Sequence, residues 1–222
     1  MKKIILLLII LFCGIMFVTS CDDNANDSDE NGDKQNENNS EINKDEQGEK
    51  KNMKVVIELY DGRKIKIELY EDIAPITVKN FLKLVDQDYY KDVIFHRVIA
   101  NFMIQTGGYK LIDNTINEAP EVSTIKGEFA SNGVENNLKH TIGVVSMART
   151  NVKDSASSQF FICTADTPHL DGEYAAFGKV IDEESMRVVL NISYVSTGNF
   201  YYFQDFPHEP IVIKTIKRLT DE

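Results

Sequence analysis

Residues 95–108, with the sequence Phe-His-Arg-Val-Ile-Ala-Asn-Phe-Met-Ile-Gln-Thr-Gly-Gly, constrain the fold of this chain more than any other stretch. In a strand, side chains alternate with period two, so Arg97 and Ile99 share one face and Val98 lies on the other. A break near Asn101 precedes a second alternating run, which the two glycines end. An arginine beside so many apolar side chains needs partners for its five donors. Arg97 is therefore either a functional cation or a strand-end arginine that is solvated or paired with a carboxylate.

The N-terminus has the pattern of an export signal. Two lysines precede a nearly continuous apolar run over residues 4–18, which is short for a membrane span and typical of a signal-peptide core. Small residues then precede Cys21, as in bacterial lipoprotein signals, whose cysteine is lipidated and becomes the new N-terminus. We expect residues 1–20 to be a lipoprotein signal peptide and Cys21 to carry the lipid that anchors the protein to a membrane. An ordinary secretory signal that contains a cysteine is the alternative.

After the predicted lipidated cysteine, residues 21–52 form a polar and acidic segment. Residues 22–52 contain eleven Asp or Glu against four Lys, a net charge of −7, and Ile42 is their only large apolar residue. Such a segment cannot bury enough apolar surface to offset the entropy lost on ordering. We predict a disordered, self-repelling linker that holds a domain away from the bilayer.

The remaining residues, 53–222, suit one compact domain. They carry 24 acidic and 18 basic side chains and show no basic stripe, so we expect no nucleic-acid partner. The four histidines of the chain lack the spacing of metal ligands, and we predict no metal site. Cys163 is the only cysteine of this domain, in the apolar run 160–163, which predicts a buried and inert thiol without a disulfide partner.

The hydrophobic pattern of the domain indicates many short strands and two helices. Alternating runs on both sides of Asp61-Gly62 predict a β-hairpin, and further strands are expected around 140–148, 158–164, 175–180 and 211–216. Apolar residues at helical spacing predict one helix that opens at Pro75 and a second over 182–195. Residues 109–119 give only a weak signal of a loop, and 197–209 are expected to form an aromatic loop. This content points to an antiparallel barrel or sandwich with helices over its open ends.

Three separated blocks resemble the signature of one family. Residues 95–108, 138–148 and 158–165 are similar to the cyclophilins, and 170–180 and 209–213 continue the likeness in the expected order. The resemblance covers essentially all of 53–222. It implies a mainly β fold, a closed eight-stranded antiparallel barrel capped by two α-helices, and the activity of a peptidyl-prolyl cis–trans isomerase that needs no cofactor.

The chemistry of this activity explains the residue types. Rotation about a peptide bond faces a barrier of ~18–20 kcal/mol, because resonance gives the C–N bond partial double-bond character, and X–Pro bonds exchange over tens to hundreds of seconds. A catalyst needs a site that prefers the twisted amide, whose prolyl nitrogen regains a lone pair. A guanidinium aimed at that nitrogen favours the twisted state, and the resemblance assigns this role to Arg97.

The resemblance also implies the rest of the site. The expected catalytic residues are Arg97, Phe102 and Gln105, and the expected substrate-binding residues are His96, Met103, Ala148, Arg149, Gln159, Phe161, His169, Leu170 and Tyr174. Phe102, Met103, Phe161 and Leu170 would form the pocket for the proline ring. His169 stands where many eukaryotic members carry Trp, and Tyr174 where they carry His. We expect the loss of the indole donor to weaken cyclosporin-type binding more than turnover.

Other classes of function remain as alternatives. A serine hydrolase would use His140, Ser158 and Asp171, although the chain has no Gly-x-Ser-x-Gly elbow. A non-catalytic chaperone module that holds proline-containing segments is a second alternative, and an envelope scaffold that works through the aromatic loop 200–206 is a third. We expect a monomer, lipid-anchored at the extracytoplasmic face of a bacterial membrane, that acts on proline-containing peptides and unfolded exported proteins.

Overall fold

A computed structural model describes residues 52–219, which form one compact unit. The predicted signal peptide, Cys21 and the predicted linker up to residue 51 lie outside the described residues. Within 52–219, no helix is long and apolar enough to cross a membrane.

Over the described range the chain forms twelve strands and two α-helices. In chain order they are β1 (Met53–Leu59), β2 (Lys64–Leu69), α1 (Pro75–Asp86), β3 (Arg97–Ile99), β4 (Met103–Thr106), β5 (Tyr109–Ile112), β6 (Thr115–Glu118), β7 (Val144–Met147), β8 (Phe160–Cys163), β9 (Ala176–Val180), α2 (Glu183–Ser193), β10 (Thr197–Phe200), β11 (Phe203–Pro207) and β12 (Ile213–Leu219). Two 3₁₀ turns, Ala130–Asn132 and Pro168–Leu170, lie in the long connections. The mainly β content with two helices confirms the predicted class.

Eight strands form one antiparallel sheet in the order β12-β1-β2-β9-β7-β8-β4-β3. This sheet is a strongly curled, open half-barrel, so the expectation of a closed barrel was wrong. The edge strands β3 and β12 do not share a ladder, and only the segments before them meet, through the isolated bridge Ile94–Val212. The backbone of 92–96 divides its hydrogen bonds between the chain near 211–213 and the chain near 105–111, which leaves no continuous ladder to close the sheet.

The two helices pack on the sheet, α1 through the stripe that the sequence predicts and α2 through Val188, Val189 and Ile192. Helix α1 buries Val78, Phe81, Leu82 and Val85, and these side chains join the main core. No side chain at Ala74 caps this helix. Instead the buried carboxylate of Glu128 accepts hydrogen bonds from the N–H groups of Ile76 (3.0 Å) and Thr77 (2.7 Å). A carboxylate from a distant loop therefore satisfies donors that the first turn of a helix leaves unpaired.

Two hairpins replace segments that were expected to be loops. Strands β5 and β6 turn at Asp113 and Asn114, which both have positive φ, as a two-residue hairpin turn requires. Strands β10 and β11 turn at Tyr201, also at positive φ. Neither turn contains glycine, and this is why the sequence pattern did not reveal them.

Candidate active site

The alternation of β3, β4 and β8 separates a site face from a core face. Pairing places Arg97 opposite Gln105, and Gln105 opposite Phe161, so these three side chains form a row across three strands. The intervening residues, such as Val98 and Ile104, point into the main core. The local pattern of residues 95–108 thus puts a cation and an amide side by side on one face of the sheet, and pairing with β8 adds the aromatic ring of Phe161.

Arg97 is partly solvated and paired with a carboxylate. Its Nε lies 3.6 Å from Oδ2 of Asp205, and the two side chains are 43% and 41% exposed. The sequence left open a carboxylate partner for Arg97, and Asp205 on β11 is that partner. The sequence did not point to Asp205 itself, since it lies far along the chain in a segment expected to be a loop. An exposed pair of this kind holds the cation only loosely.

Gln105 is held by a second amide. Its Nε2 donates a hydrogen bond to Oε1 of Gln159, at 2.9 Å, so the two predicted glutamines meet in the structure. The end of β4 approaches the start of β8 very closely here. A Cβ atom on Gly107 would lie 2.4 Å from the carbonyl oxygen of Ser158, and Gly107 has φ +98°. Only glycine fits this position, which keeps the two glutamines in contact.

The predicted proline pocket is one apolar cluster. Met103, Phe161 and Leu170 are buried together with Cys163, and Phe102 packs against them half-buried. The cluster also receives Ile99, Ala148 and Tyr174. The exposed ring of His169 stacks on Phe102, with 5.5 Å between the centroids and 27° between the planes. The structure therefore brings together all four residues expected to surround the proline ring and places His169 at their rim.

Arg149 is occupied by structural contacts. Its guanidinium lies between the rings of Phe129 and Tyr174, at 4.9 and 4.7 Å from their centroids. It also donates to the carbonyl oxygen of Glu173 through Nε (3.0 Å) and one terminal nitrogen (2.9 Å). The neighbouring Ala148 N–H donates to the Gln159 carbonyl. Arg149 thus braces the loop beside the pocket through cation–π and hydrogen-bond contacts.

His96 directly precedes β3 and is only 5% exposed. Its ring makes an edge contact with Tyr109 at 4.9 Å, and Nδ1 has no hydrogen-bond partner among the described residues. Burial lowers the pKa of His96 to about 4, because the charged imidazolium would lose its hydration. The ring is therefore neutral near pH 7.

His140 forms a buried chain of hydrogen bonds, and the sequence predicts only part of it. Its Nδ1 lies 3.1 Å from Oδ1 of Asp171, and its Nε2 lies 3.0 Å from the hydroxyl of Ser146. Burial lowers the pKa of His140 despite the neighbouring carboxylate. Ser158 instead donates its hydroxyl to the Gly107 carbonyl. Ser146 is 0% exposed, so no substrate carbonyl can reach it, and the constellation does not suit a hydrolase. The His140 ring stacks on Phe161 and supports the pocket wall from behind.

The site face offers neither a reactive thiol nor, among the described residues, a set of metal ligands. Burial raises the pKa of the Cys163 thiol to about 11, so the thiolate is scarce at neutral pH. Among residues 52–219, no three His, Cys, Asp or Glu side chains come close enough to hold a metal ion. The arrangement therefore offers a cation, two amides and an apolar pocket, which can bind and polarise a substrate.

Comparisons with known proteins identify the family. The family model described as cyclophilin type peptidyl-prolyl cis-trans isomerase/CLD matches residues 53–218. A peptidyl-prolyl cis-trans isomerase of Acinetobacter baylyi is 44% identical over 158 residues, which cover 69% of this chain and 79% of the relative. Peptidyl-prolyl cis-trans isomerase B of Escherichia coli is 40% identical over 160 residues, 68% of this chain and 92% of the relative.

Solved structures agree with these matches. The crystal structure of a Cryptosporidium parvum cyclophilin-type isomerase has a TM-score of 0.62 and 28% identity, and covers 78% of this chain and 100% of its own. The same protein in the presence of the dipeptide Ala-Pro matches with a TM-score of 0.61 and 29% identity, covering 76% of this chain and 99% of its own. This chain is an enzyme of the cyclophilin-type peptidyl-prolyl cis–trans isomerase family.

Proposed function

We propose that this isomerase accelerates X–Pro rotation through Arg97, with the proline ring held among Phe102, Met103, Phe161 and Leu170. The observation that carries this assignment is the row of Arg97, Gln105 and Phe161 across β3, β4 and β8, with the apolar cluster beside it. The guanidinium is partly exposed, so a peptide can reach it.

Selective stabilisation of the twisted amide supplies the rate. In the planar ground state the prolyl nitrogen has no available lone pair, and in the twisted state it accepts a hydrogen bond. A charge-assisted hydrogen bond from Arg97 of ~1.5–3 kcal/mol, formed only in the twisted state, would give a rate gain of roughly ten- to a hundredfold. The apolar pocket and the fixed amides of Gln105 and Gln159 would supply the rest by holding the peptide in a geometry that favours the twisted amide.

The ligand class follows from the pocket and from a relative. An apolar pocket of this composition fits the pyrrolidine ring, and the Cryptosporidium parvum relative was crystallised in the presence of Ala-Pro. The amides of Gln105 and Gln159 offer donors and acceptors for the peptide backbone on either side of the proline. Proline-containing peptides are therefore the proposed substrates.

The experiment is isomerisation of a short Ala-Pro-Phe peptide by the full chain and by Arg97→Ala and Arg97→Lys. We expect a loss of at least tenfold in kcat/KM for Arg97→Ala, and a partial loss for Arg97→Lys, whose point charge lacks the planar fork. Arg63→Ala is the matched control, since Arg63 pairs with Asp61 in the turn between β1 and β2. Background turnover by a folded wild-type chain that still bound the peptide would identify a non-catalytic binding module instead.

We further propose that the enzyme is a monomer anchored by lipid at Cys21 on the extracytoplasmic face of a bacterial membrane, where it acts on exported proteins. The export-signal pattern of residues 1–20 and the acidic segment up to 52 support this location. Cells grown with a labelled fatty acid test it directly. Wild type should carry the label and sediment with membranes, and Cys21→Ser should lose both properties. An unlabelled wild-type chain in the soluble fraction would overturn the anchor.

A further inference from the structure

Two hairpins beside the active-site edge of the sheet expose aromatic side chains around a groove of about 590 Å³. Tyr201 and Tyr202, at the turn of the β10–β11 hairpin, are 88% and 70% exposed. The floor of the groove comes from both hairpins and includes Leu111, Ile116, Phe203 and Phe206. We call these residues together the aromatic hairpin surface. Contiguous exposed apolar patches on a protein surface, unlike single exposed rings, mark binding sites.

The turn that carries the exposed rings is conformationally costly. Tyr201 has φ +51°, a left-handed conformation that a bulky side chain rarely adopts. The turn is nevertheless held firmly from below. Phe200 stacks on Phe206 at 5.2 Å, and Tyr202 contacts Phe203 at 4.4 Å. The buried rings of β11 thus fix a strained turn that presents two tyrosines to solvent.

The aromatic hairpin surface lies next to the site face. Asp205, which pairs with Arg97, lies in β11 between Phe203 and Phe206. A second connection runs from His96 to Tyr109 and from Tyr109 to Phe203, with ring centroids 4.9 and 4.6 Å apart. Asp205 is four residues from Tyr201 at the turn, so the two residues lie at most about 14 Å apart. A peptide with its proline beside Arg97 therefore needs only about four more extended residues to reach the turn.

The chemistry of the groove selects a polypeptide. The described residues that line it include no Lys or Arg, and such cations are what an anionic membrane surface recruits. Its polar lining includes Asn114 and Asn199, whose amides can donate to and accept from a peptide backbone. Apolar walls with a few amides suit an extended segment rich in aromatic and aliphatic side chains.

We propose that the aromatic hairpin surface is an auxiliary binding site for the unfolded client chain whose proline occupies the active site. This inference rests on the proposed catalytic site at Arg97 and adds a second point of attachment. Binding at both points makes the second contact intramolecular, so long clients should bind more tightly than short peptides.

The test compares a proline tetrapeptide with a fifteen-residue peptide that has the same centre and Leu or Phe residues on both sides. The full wild-type chain should bind the long peptide at least fivefold more tightly, measured by fluorescence anisotropy. The double variant Tyr201→Ser/Tyr202→Ser should lose this advantage. The control Tyr60→Ser should keep it, since Tyr60 is an exposed tyrosine that does not line the groove. A photoreactive group near either end of the long peptide should crosslink within Thr197–Pro207.

Other results would overturn the proposal. An equal affinity of wild type for both peptides, or an undiminished advantage in the double variant, would remove the client-binding role. Phosphatidylglycerol vesicles are added to the protein with the long peptide bound. If they displace the peptide from wild type but not from the double variant, the aromatic hairpin surface binds lipid instead. If instead the proposed catalytic site were wrong, Arg97→Ala would retain full turnover of the tetrapeptide. This result differs from a failure of the client-binding site, because it does not depend on the effect of peptide length on binding.

Discussion

The buried ring of His96 makes the stability of this enzyme sensitive to acid. The ring is 5% exposed, and burial holds its pKa at about 4, compared with 6.5 for an ordinary histidine. The adjacent Arg97 works in the same direction, because a nearby positive charge disfavours the imidazolium. The folded protein therefore resists a proton that the unfolded chain accepts readily.

The sign and size of the effect follow from this difference. Below pH 6.5 the unfolded chain takes up a proton at His96 and the folded protein does not, so the free energy of unfolding falls as the pH falls. The loss continues until the pH reaches about 4, where the folded ring also titrates, and then stops. At ~1.4 kcal/mol per pH unit, the total is about 3 kcal/mol. Domains of this size have a net stability of roughly 5–15 kcal/mol, so this loss is a large share.

The assay is urea unfolding, followed by far-ultraviolet circular dichroism, at pH values between 7 and 4 for wild type and His96→Gln. The contribution of the other titrating groups, including His140, cancels in the difference between the two proteins. We expect wild type to lose about 3 kcal/mol more than His96→Gln over this range. His208→Gln, which removes an exposed histidine, is the control and should follow wild type. Parallel curves for wild type and His96→Gln would refute the argument.

Three further predictions concern single side chains. Glu128→Ala should lower the free energy of unfolding by about 3–5 kcal/mol, because two N–H groups at the start of α1 and the Thr77 hydroxyl lose their buried acceptor. Chemical denaturation measures this loss, and a value under about 1 kcal/mol would contradict the prediction. Asp205→Asn should change kcat/KM by less than about fivefold, since an exposed ion pair contributes ~0.2–1 kcal/mol. The change should become smaller in 1 M salt, which screens the pair. An effect of about tenfold that persisted in salt would show that Asp205 does more than pair with Arg97. Iodoacetamide at pH 8 should alkylate Cys163 at least about a hundredfold more slowly in the native protein than in urea, because the thiol is buried and its pKa is about 11. Peptide mass spectrometry gives both alkylation rates, and equal rates would show that the thiol is accessible.

Local patterning determined much of the site. The alternation in residues 95–108 separates Arg97 and Gln105 from Val98 and Ile104, and the structure keeps this separation, because successive side chains of a strand must point to opposite faces. The apolar stripe of α1 and the hairpin at Gly62 were predictable for the same kind of reason. The four pocket residues came from the family resemblance, and the structure places them in contact.

Predictions failed where a contact or a turn depended on distant parts of the chain. The β5–β6 and β10–β11 turns use Asp, Asn and Tyr at positive φ without glycine, and such turns are stabilised by the packing beneath them. The sheet stays open because the backbone before β3 bonds to two separate segments. No local pattern reports how those hydrogen bonds are shared.

By itself, the sequence determined the two helices and the eight strands of the main sheet, the two faces of β3 and β4, and the family, since these depend on residue order within short segments. Only the tertiary structure decided that Asp205 pairs with Arg97, that Ser146 rather than Ser158 meets His140, and that Arg149 is clamped between two rings. These contacts join segments far apart in the chain. They depend on strand order, register and the curl of the sheet, which arise when the whole core packs.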